Sequence, residues 1–497
     1  MSAPVCVIGL DAMDSGIAHA LMADGRMPNL AAFVESSAWA PTDNPRGMLV
    51  GGVWPAITTG CWPDHAGFYC DLQIVPGTYE ARRRDPNVIS VPHVWDVLAA
   101  AGRRCAVLDV PVSKLSERDD VVQLAEWGTH DRLLPPGSAP PSLVDEVIRE
   151  FGDYPVQPKC DQYAQRGDRR GLLAALEAGV ATKERLASAF LERGPWDFVA
   201  VVFSESHCTG HQFWSLHDQA DPAYDAAQRA ELGDPLHRMY QVLDGALGRL
   251  LDQIGDDATT VVVLSHGMGR HDDADHLLSE ILRRLDVADD GARHLVTWRE
   301  RGYRLLQRRG RAARRARPLV GERRFFKVPN NELNAGIRIN VKGREPRGRV
   351  ESGAEVDALI AQLHDDLLAI ENVDSGAPLI RDVWRTDDVY DGPKRDELPD
   401  LFVEWNRGTP MREARSPKIG TVSGVTSSVR SGDHRPNGLF AMRAPDVVPR
   451  RLEASVRAID VAPTIAARLG VSMPSAQGAP VTDLVRRASS SRPNHPG

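Results

Sequence analysis

The stretch Val201 to Trp214, VVFSESHCTGHQFW, decides the fold because it joins a buried strand to a turn that carries histidines. The strand begins upstream at Asp197, and its β-branched and aromatic residues are typical of a parallel strand covered on both faces. His207 and His211 follow four positions apart, so a helical turn after the strand would place both imidazoles on one face, where they could bind one cation. Such a pair can also arise by chance in a chain with 15 histidines, so a metal site needs support from other strands.

Two further apolar runs predict strands that also end in polar side chains. Val5 to Leu10 leads into Asp11, and Thr259 to Leu264 leads into Ser265 and His266. In an open α/β sheet the ligand crevice lies outside the carboxyl ends of the strands. Asp11 could instead cap the next helix and His266 could be a buried structural histidine, but the coincidence at three strand ends favours a metal site. The residues predicted to meet there are Asp11, His207, His211 and His266.

Strand and helix patterns alternate along the chain, which predicts an α/β fold with a mostly parallel central sheet covered on both faces. Cys105 to Val110 is predicted to form another buried strand. Long amphipathic helices are predicted over Leu172 to Glu192 and Leu236 to Ile254. The passage from Pro41 to Gly67, by contrast, is rich in Pro, Gly and Trp.

The composition of the 497-residue chain is that of a globular protein, with 42% hydrophobic and 26% charged residues. The formal net charge of -8 gives no general attraction to nucleic acid or to an anionic membrane. Six cysteines are scattered without CxxC pairs, which favours free thiols in a reducing compartment. The amino terminus lacks the features of a signal peptide, and no apolar run approaches the ~20 residues of a membrane span. We therefore expect a cytoplasmic protein.

Six motifs spread along the chain carry a family resemblance. They are Gly9-Leu10-Asp11, Thr59-Gly60 with Pro63 and His65, Gly210-His211, His266 to Gly269, Gly432 to Gly438, and Asp460 to Thr464 followed by Leu469-Gly470. Through them the chain resembles the alkaline phosphatase superfamily, in particular its type I phosphodiesterase and nucleotide pyrophosphatase branch. The resemblance implies an α/β/α sandwich with an inserted cap.

The resemblance also implies metal ligands, because members of the superfamily typically bind two zinc-like divalent ions. The implied positions are His207, His211 and His434 for the first ion, and Asp11, Ser265 and His266 for the second. Two of them depart from the pattern, since His207 and Ser265 each stand where an Asp is usual. Three imidazoles and a solvent molecule form a known open zinc site, whereas the second site has lost anionic ligands. We expect one firmly bound ion, best matched by zinc, and one weakly bound ion.

The slot of the family's nucleophile falls on Val50, and a valine can neither attack phosphorus nor bind a metal. We therefore predict that a metal-bound hydroxide displaces the leaving group directly. Glu205 or His266 would position or deprotonate the water, although Glu205 could equally be a solvated turn residue.

The alternative mechanism uses a side-chain hydroxyl from elsewhere in the chain as the nucleophile. The nearest candidates are Thr58, Thr59 and Ser206. Of these, Thr59 also matches the residue that begins the helix after the nucleophile loop in the family. Thr59 and Glu205 are the two candidate catalytic residues.

The segment Trp298 to Lys327 differs in composition from the rest, since twelve of its thirty residues are Arg or Lys. Such a segment could bind nucleic acid, a phosphate-rich substrate or a membrane surface, but the acidic chain favours a solvated helical insertion. The predicted domains are a catalytic core in two parts, 1–285 and 351–485, a basic insertion or cap, 286–350, and a disordered tail, 486–497.

These observations predict a metal-dependent hydrolase of phosphate esters that acts on small molecules, with diesters or pyrophosphates preferred to monoesters. The diester preference follows from the family branch alone. Two alternatives stay open: a catalytically inactive binding protein that keeps the fold and a structural metal, which Val50 and Ser265 favour, and an arginine-rich module that binds nucleic acid.

Overall fold

The computed structural model describes residues 3–157, 159–289, 320–331, 333–426 and 428–485. It confirms an α/β fold in which helices cover both faces of a large, mostly parallel sheet. The predictions for the tail, 486–497, and for most of the basic segment fall outside the described residues. Among the helices that the structure describes, none combines the length and the apolarity that crossing a membrane requires.

Strands and helices are numbered in chain order. The described strands are β1 (Val5–Leu10), β2 (Ala38–Asp43), β3 (Leu72–Ile74), β4 (Ala81–Arg83), β5 (Cys105–Leu108), β6 (Val121–Ala125), β7 (Gly137–Ala139), β8 (Phe198–Phe203), β9 (Thr259–Leu264), β10 (Gly267–Arg270), β11 (Phe325–Val328), β12 (Asn334–Ile339), β13 (Glu371–Asn372), β14 (Ile380–Arg385), β15 (Leu401–Trp405), β16 (Glu413–Ser416), β17 (Gly420–Ser423), β18 (Gly432–Arg435), β19 (Leu439–Arg443), β20 (Arg450–Arg451) and β21 (Val456–Arg457). The described helices are α1 (Ser15–Ala23), α2 (Pro28–Glu35), α3 (Leu49–Thr59), α4 (Pro63–Ala66), α5 (Val94–Ala100), α6 (Leu143–Phe151), α7 (Cys160–Arg166), α8 (Arg169–Glu192), α9 (Glu205–His217), α10 (Ala226–Leu232), α11 (Pro235–Ile254), α12 (Asp275–Asp289), α13 (Ala354–Leu368) and α14 (Ala458–Arg468).

A ten-stranded sheet forms the centre of the protein, with the strand order β20-β2-β19-β9-β1-β8-β5-β6-β7 and β21 beside β2. β1 lies between β8 and β9, and all three strands are parallel and fully buried. Along β1, Ile8 packs into the apolar layer on one face of the sheet and Val7 into the layer on the other. Burial on both faces explains the continuous apolar runs in the sequence.

A second, smaller sheet has four antiparallel strands in the order β11-β12-β15-β14. With α12 and α13 it encloses its own apolar core, which draws on residues from Ala274 to Val422. The predicted boundaries at 285 and 350 stay predictions. The smaller sheet joins distant parts of the chain, since β12 bonds to β15 far downstream.

Helix α3 occupies the passage that is rich in Pro, Gly and Trp. It ends at Thr59, and Gly60 caps it in the left-handed conformation with φ 69°, so Thr59 ends a helix instead of beginning one, contrary to the role that the resemblance gives it. A Cβ on Gly51 would lie 2.3 Å from the carbonyl oxygen of Tyr69, which shows how closely the helix packs. Tertiary packing of this almost wholly buried helix overrides the poor helix propensity of glycine and of Pro55.

Candidate metal centre

The register of the three central strands brings their carboxyl ends to one level. Leu10 of β1 pairs with Phe203 of β8 and with Leu264 of β9. The segments that follow, beginning with Asp11, with α9 and with Ser265, therefore meet at the same edge of the sheet. The structure thus brings together residues that lie some 250 positions apart in the chain.

Four histidines gather at this edge. α9 begins at Glu205, directly after β8, and presents His207 and His211 with their Nε2 atoms 3.1 Å apart. His434 arrives on β18, which pairs with β10, and its Nε2 atom lies 2.7 Å from that of His207. His207, His266 and His434 each offer a ring nitrogen within 4.8 Å of the other two. We call His207, His211, His266 and His434 the histidine cluster.

All four members of the cluster have their Nδ1 atoms held by acceptors. The pairs are His207 with Asp11 Oδ2 at 2.6 Å, His211 with the Gly432 carbonyl oxygen at 2.7 Å, His266 with the Gly267 carbonyl oxygen at 3.1 Å, and His434 with Asp433 Oδ1 at 3.0 Å. These acceptors assign the ring proton to Nδ1 and leave a lone pair on Nε2. Hydrogen bonds of this kind orient imidazoles that bind metals and raise their basicity.

The arrangement fits a divalent ion. With the protons on Nδ1, the Nε2 lone pairs of neighbouring histidines face one another, which is repulsive unless they share a cation. A tetrahedral zinc ion with bonds of about 2.05 Å separates two nitrogens by about 3.3 Å. The 3.1 Å between His207 and His211 is close to this value. The 2.7 Å between His207 and His434 needs a shift of roughly half an ångström to reach the same spacing.

Burial favours the neutral imidazoles that a metal site requires. It lowers the pKa of His207 and of His211 well below the ordinary value, and it lowers the pKa of His266 to about 4. Burial raises the pKa of the Asp433 carboxyl, but the hydrogen bond from His434 and the charge of Arg407 hold this pKa below its usual range. Asp433 therefore stays ionised and can keep the His434 ring in place.

Asp11 lies behind His207 and anchors it. Asp11 Oδ1 accepts hydrogen bonds from Trp54 Nε1 at 2.7 Å and Ser265 Oγ at 2.8 Å, while Oδ2 faces His207. Nε2 of His266 is 3.8 Å from Oδ1. The residues predicted for the second ion, Asp11, Ser265 and His266, are thus assembled. However, the Asp11 carboxylate and the Ser265 hydroxyl are already hydrogen-bonded to other groups, so these residues form a poor cation site.

Replacing Asp11 tests this anchoring role. In Asp11→Asn, the amide must turn its NH₂ either toward the donors Trp54 and Ser265 or toward the Nδ1 proton of His207, so one hydrogen bond becomes a donor–donor contact. Loss of such a partner typically weakens metal binding about 10–100-fold. Competition titration of zinc against a chelator should show this loss, whereas Asp119→Asn, at an exposed position, should match the wild type. Unchanged affinity in Asp11→Asn would remove the anchoring role.

A cavity of about 420 Å³ opens over the histidine cluster. Its wall includes Val50 at the start of α3, so the position predicted for the nucleophile faces the cavity without a hydroxyl. The basic side chains in the wall are Arg83, Lys159 and Arg430. Arg430 Nη1 lies 3.3 Å from His211 Nε2, while Nη2 pairs with Asp131 at 2.7 Å and Asp161 at 2.8 Å. An anion bound at the cluster would meet this fixed positive charge.

Glu205, one of the predicted catalytic residues, does not line this cavity. Its carboxylate accepts a hydrogen bond from Tyr154 Oη at 2.8 Å and lies 3.7 Å from Lys183 Nζ, and burial raises its pKa. Two positions along a helix correspond to a rotation of about 200°, so Glu205 and His207 point to opposite sides of α9. The spacing that directs His207 toward the cavity therefore directs Glu205 away from it.

The hydroxyls considered as nucleophiles also lie away from the cavity wall. Thr58, Thr59 and Ser206 each donate to a main-chain carbonyl oxygen, at 2.8 Å, 2.6 Å and 2.6 Å. Helical geometry explains the two threonines, because each bonds to the residue four positions earlier in α3. None of the three is placed to attack a substrate in the cavity.

Some residues at the site were not anticipated from the sequence. His130 stacks on His207 with ring centroids 4.0 Å apart, and Glu126 lines the cavity. Both follow β6, whose carboxyl end lies at the same edge of the sheet as that of β8. The signal was available, since the apolar run Val121–Ala125 also leads directly into polar residues.

A mostly parallel sheet covered on both faces, with side chains at its carboxyl edge that could hold a metal ion, places the protein among alkaline-phosphatase-like folds. More particularly, the chain belongs to the type I phosphodiesterase / nucleotide pyrophosphatase family, whose sequence model matches residues 5–435. This membership confirms the resemblance drawn from the motifs and classes the chain with metal-dependent phosphoric ester hydrolases.

Solved structures support the same fold. Phosphonoacetate hydrolase from Sinorhizobium meliloti 1021, in complex with phosphonoformate, matches with a TM-score of 0.53 and 14% identity over 93% of this chain and 94% of that chain. Murine ectonucleotide pyrophosphatase / phosphodiesterase 5 matches with a TM-score of 0.52 and 10% identity over 95% of this chain and 96% of that chain. A search of curated protein sequences gives no significant match. At these identities the likeness shows the fold alone.

Proposed function

We propose that this protein hydrolyses phosphate diesters or pyrophosphates in small molecules, using a divalent ion, best matched by zinc, bound at the histidine cluster. The observation that carries the proposal is the convergence of anchored imidazoles beneath a cavity large enough for a small substrate. The substrate class rests on the family. A bound ion would polarise a phosphoryl oxygen and lower the pKa of a coordinated water.

The side chains of the cavity favour direct attack by water, without a covalent intermediate. Val50 supplies no nucleophile, and Thr58, Thr59 and Ser206 donate to the main chain. Arg430 is placed to hold a phosphoryl oxygen, because its guanidinium reaches to 3.3 Å from His211 while two carboxylates fix its orientation. His266, neutral at physiological pH, would orient the water.

Val50→Thr tests direct attack. If water is the nucleophile, a hydroxyl at this position supplies nothing, and kcat/KM should stay within about threefold of the wild type or fall. Val50→Ala controls for the change of volume, and hydrolysis of a chromogenic phosphodiester provides the measurement. A strong rise in Val50→Thr alone would mean that the wild type is an impaired relative of enzymes with a threonine nucleophile.

Glu126 is the proposed general base, in place of Glu205. It lines the cavity, and its Oε2 accepts hydrogen bonds from Thr129 Oγ1 and from the Leu133 amide, both at 3.1 Å. Burial raises its pKa to about 7, and a base with a pKa near the working pH transfers protons most effectively.

The role of Glu126 predicts a pH dependence. A base acts in its ionised form, so kcat/KM should rise as the pH increases through about 7 and then level off. Glu126→Gln should lower kcat/KM about 10²–10⁴-fold, abolish that rise and leave the bound metal in place. A variant that loses activity but keeps the wild-type pH profile would assign the proton transfer to another group.

The function itself is tested with chromogenic phosphate mono- and diesters. After removal of metal with a chelator, hydrolysis of the diester should disappear, and zinc should restore it. Retention of metal without hydrolysis of either substrate would favour the inactive binding protein, the alternative that Val50 and Ser265 support.

Two further points stay proposals. A cytoplasmic location is supported by the six cysteines, all of them free and buried. Nucleic-acid binding by the basic segment gains no support, because most of Trp298 to Lys327 lies outside the described residues. Binding of polynucleotide that is lost when this segment is deleted would revive that alternative.

A further inference from the structure

A second group of metal-binding side chains lies beside the histidine cluster. His130 follows β6, Cys160 begins α7, and Cys208 is the neighbour of His207 in α9. His130, Cys160 and Cys208 each offer a ligand atom within 4.8 Å of the other two. We call these three residues the thiol cluster.

The distances within the thiol cluster suit a tetrahedral ion. His130 Nδ1 lies 3.0 Å from Cys208 Sγ and 3.6 Å from Cys160 Sγ. Zinc bonds of about 2.3 Å to sulfur and about 2.05 Å to nitrogen separate the two kinds of ligand by about 3.5 Å. His130 Nε2 lies 3.1 Å from Asp131 Oδ2. That carboxylate lies on the Nε2 side of the ring, and Nδ1 faces the two sulfurs.

The thiol cluster is buried, and a small cavity lies beside it. The His130 side chain is 4% exposed, and Cys160 and Cys208 are both buried. All three residues line a small cavity of about 20 Å³, the size that accommodates one water-sized ligand. An ion held by two sulfurs and one nitrogen would have room there for a fourth ligand.

Three of the other four cysteines have different surroundings. Cys61, Cys70 and Cys105 direct their thiols to main-chain carbonyl oxygens, at 3.1 Å, 2.9 Å and 3.7 Å. They behave as small buried residues with a weak donor. Among the described residues, only His130, Cys160 and Cys208 form a metal-binding group that contains cysteine.

We propose that His130, Cys160 and Cys208 bind a thiophilic divalent ion, best matched by zinc, separate from the ion of the histidine cluster. Thiolates select zinc over the hard cations magnesium and calcium. The two sites are neighbours, because His130 stacks on His207. The second ion would then lie on the His130 side of His207. It would not lie among Asp11, Ser265 and His266. This site does not depend on the proposed hydrolysis.

Cobalt(II) distinguishes the two sites in the full-length protein, because thiolate ligands give near-ultraviolet charge-transfer bands that nitrogen ligands do not. After chelation under reducing conditions and reloading with cobalt, the wild type should bind two equivalents and show these bands. Cys160→Ala and Cys208→Ala should each lose the bands and one equivalent, whereas Cys105→Ala should keep both. His434→Ala should lose the other equivalent and keep the bands, so failure of either site is recognised separately.

A second measurement serves if a cysteine variant does not fold. In the wild type, zinc should protect Cys160 and Cys208 from alkylation, as mapped by peptide mass spectrometry. Binding of cobalt without charge-transfer bands, or bands that persist in both cysteine variants, would overturn the proposal. A Cys160–Cys208 disulfide that persists in the reduced and zinc-loaded protein would do the same.

Discussion

His207→Ala and His434→Ala are each expected to release the ion of the histidine cluster and to lower phosphodiester hydrolysis by more than about 100-fold. Loss of a group that only orients a ligand already weakens metal binding about 10–100-fold, so loss of the ligand itself should exceed that range. These two residues are decisive because their Nε2 atoms lie 2.7 Å apart, closer than the 3.1 Å between those of His207 and His211. Metal analysis of the purified variants, with activity assays at saturating zinc, provides the measurement.

His364→Ala is the matched control, since that histidine lies on α13 with its side chain 41% exposed. It should keep the wild-type metal content and activity. His211→Ala distinguishes two roles for His211, as a metal ligand or as a contact of Arg430, because Arg430 also approaches His211 Nε2. If His211 is a ligand, its loss resembles that of His207; if it only contacts Arg430, the metal stays and activity falls through weaker substrate binding.

Lys183→Met is expected to lower the free energy of unfolding by about 3–5 kcal/mol, as removal of one partner from a buried ion pair typically does. Lys183 is fully buried, with its Nζ 3.4 Å from Asp109 and 3.7 Å from Glu205. It also donates to the carbonyl oxygens of Gly128 and Val202, both at 3.0 Å. Methionine fills the space but leaves two buried carboxylates without a counter-charge. Urea denaturation followed by circular dichroism measures the change.

The sign of the pH effect provides a further check on Lys183→Met. Burial raises the pKa of Asp109 and of Glu205 in the wild type, and loss of the ammonium should raise both further. When folding raises the pKa of a carboxyl group, the folded protein loses stability as the pH rises above the ordinary carboxyl range. The loss of unfolding free energy in Lys183→Met should therefore become smaller toward acidic pH. Glu184 is the sequence neighbour of Lys183 and pairs with Arg249 at the surface. Arg249→Met should lower the free energy of unfolding by at most about 1 kcal/mol. An equally small effect in Lys183→Met would contradict the structural role.

Much of the sheet could be predicted because its strands are buried on both faces. Val5–Leu10 and Thr259–Leu264 have the predicted bounds, and the long helices begin and end within a few residues of prediction. The placement of Asp11, His207 and His266 followed from one rule, that parallel strands present their carboxyl ends at the same edge. His434 could be reached only through the family motif, because it enters on a two-stranded ribbon from the far end of the chain.

Other features depend on surroundings that the sequence conceals. Helix α3 is stabilised by its packing in spite of its glycines and Pro55, so local propensity gave no prediction of it. Glu205 was proposed to position or deprotonate the water, and the direction of its side chain depends on where α9 begins. The extent of the smaller sheet depends on the pairing of β12 with β15, which no local pattern encodes.

Anomalous diffraction from crystals grown with zinc tests the central claim most directly. The account predicts a peak about 2.0–2.1 Å from Nε2 of both His207 and His434, with a nitrogen of His211 or His266 as a third ligand. Zinc at saturating concentration with no peak among these four imidazoles, and a hydrogen bond between His207 and His434 in its place, would contradict it.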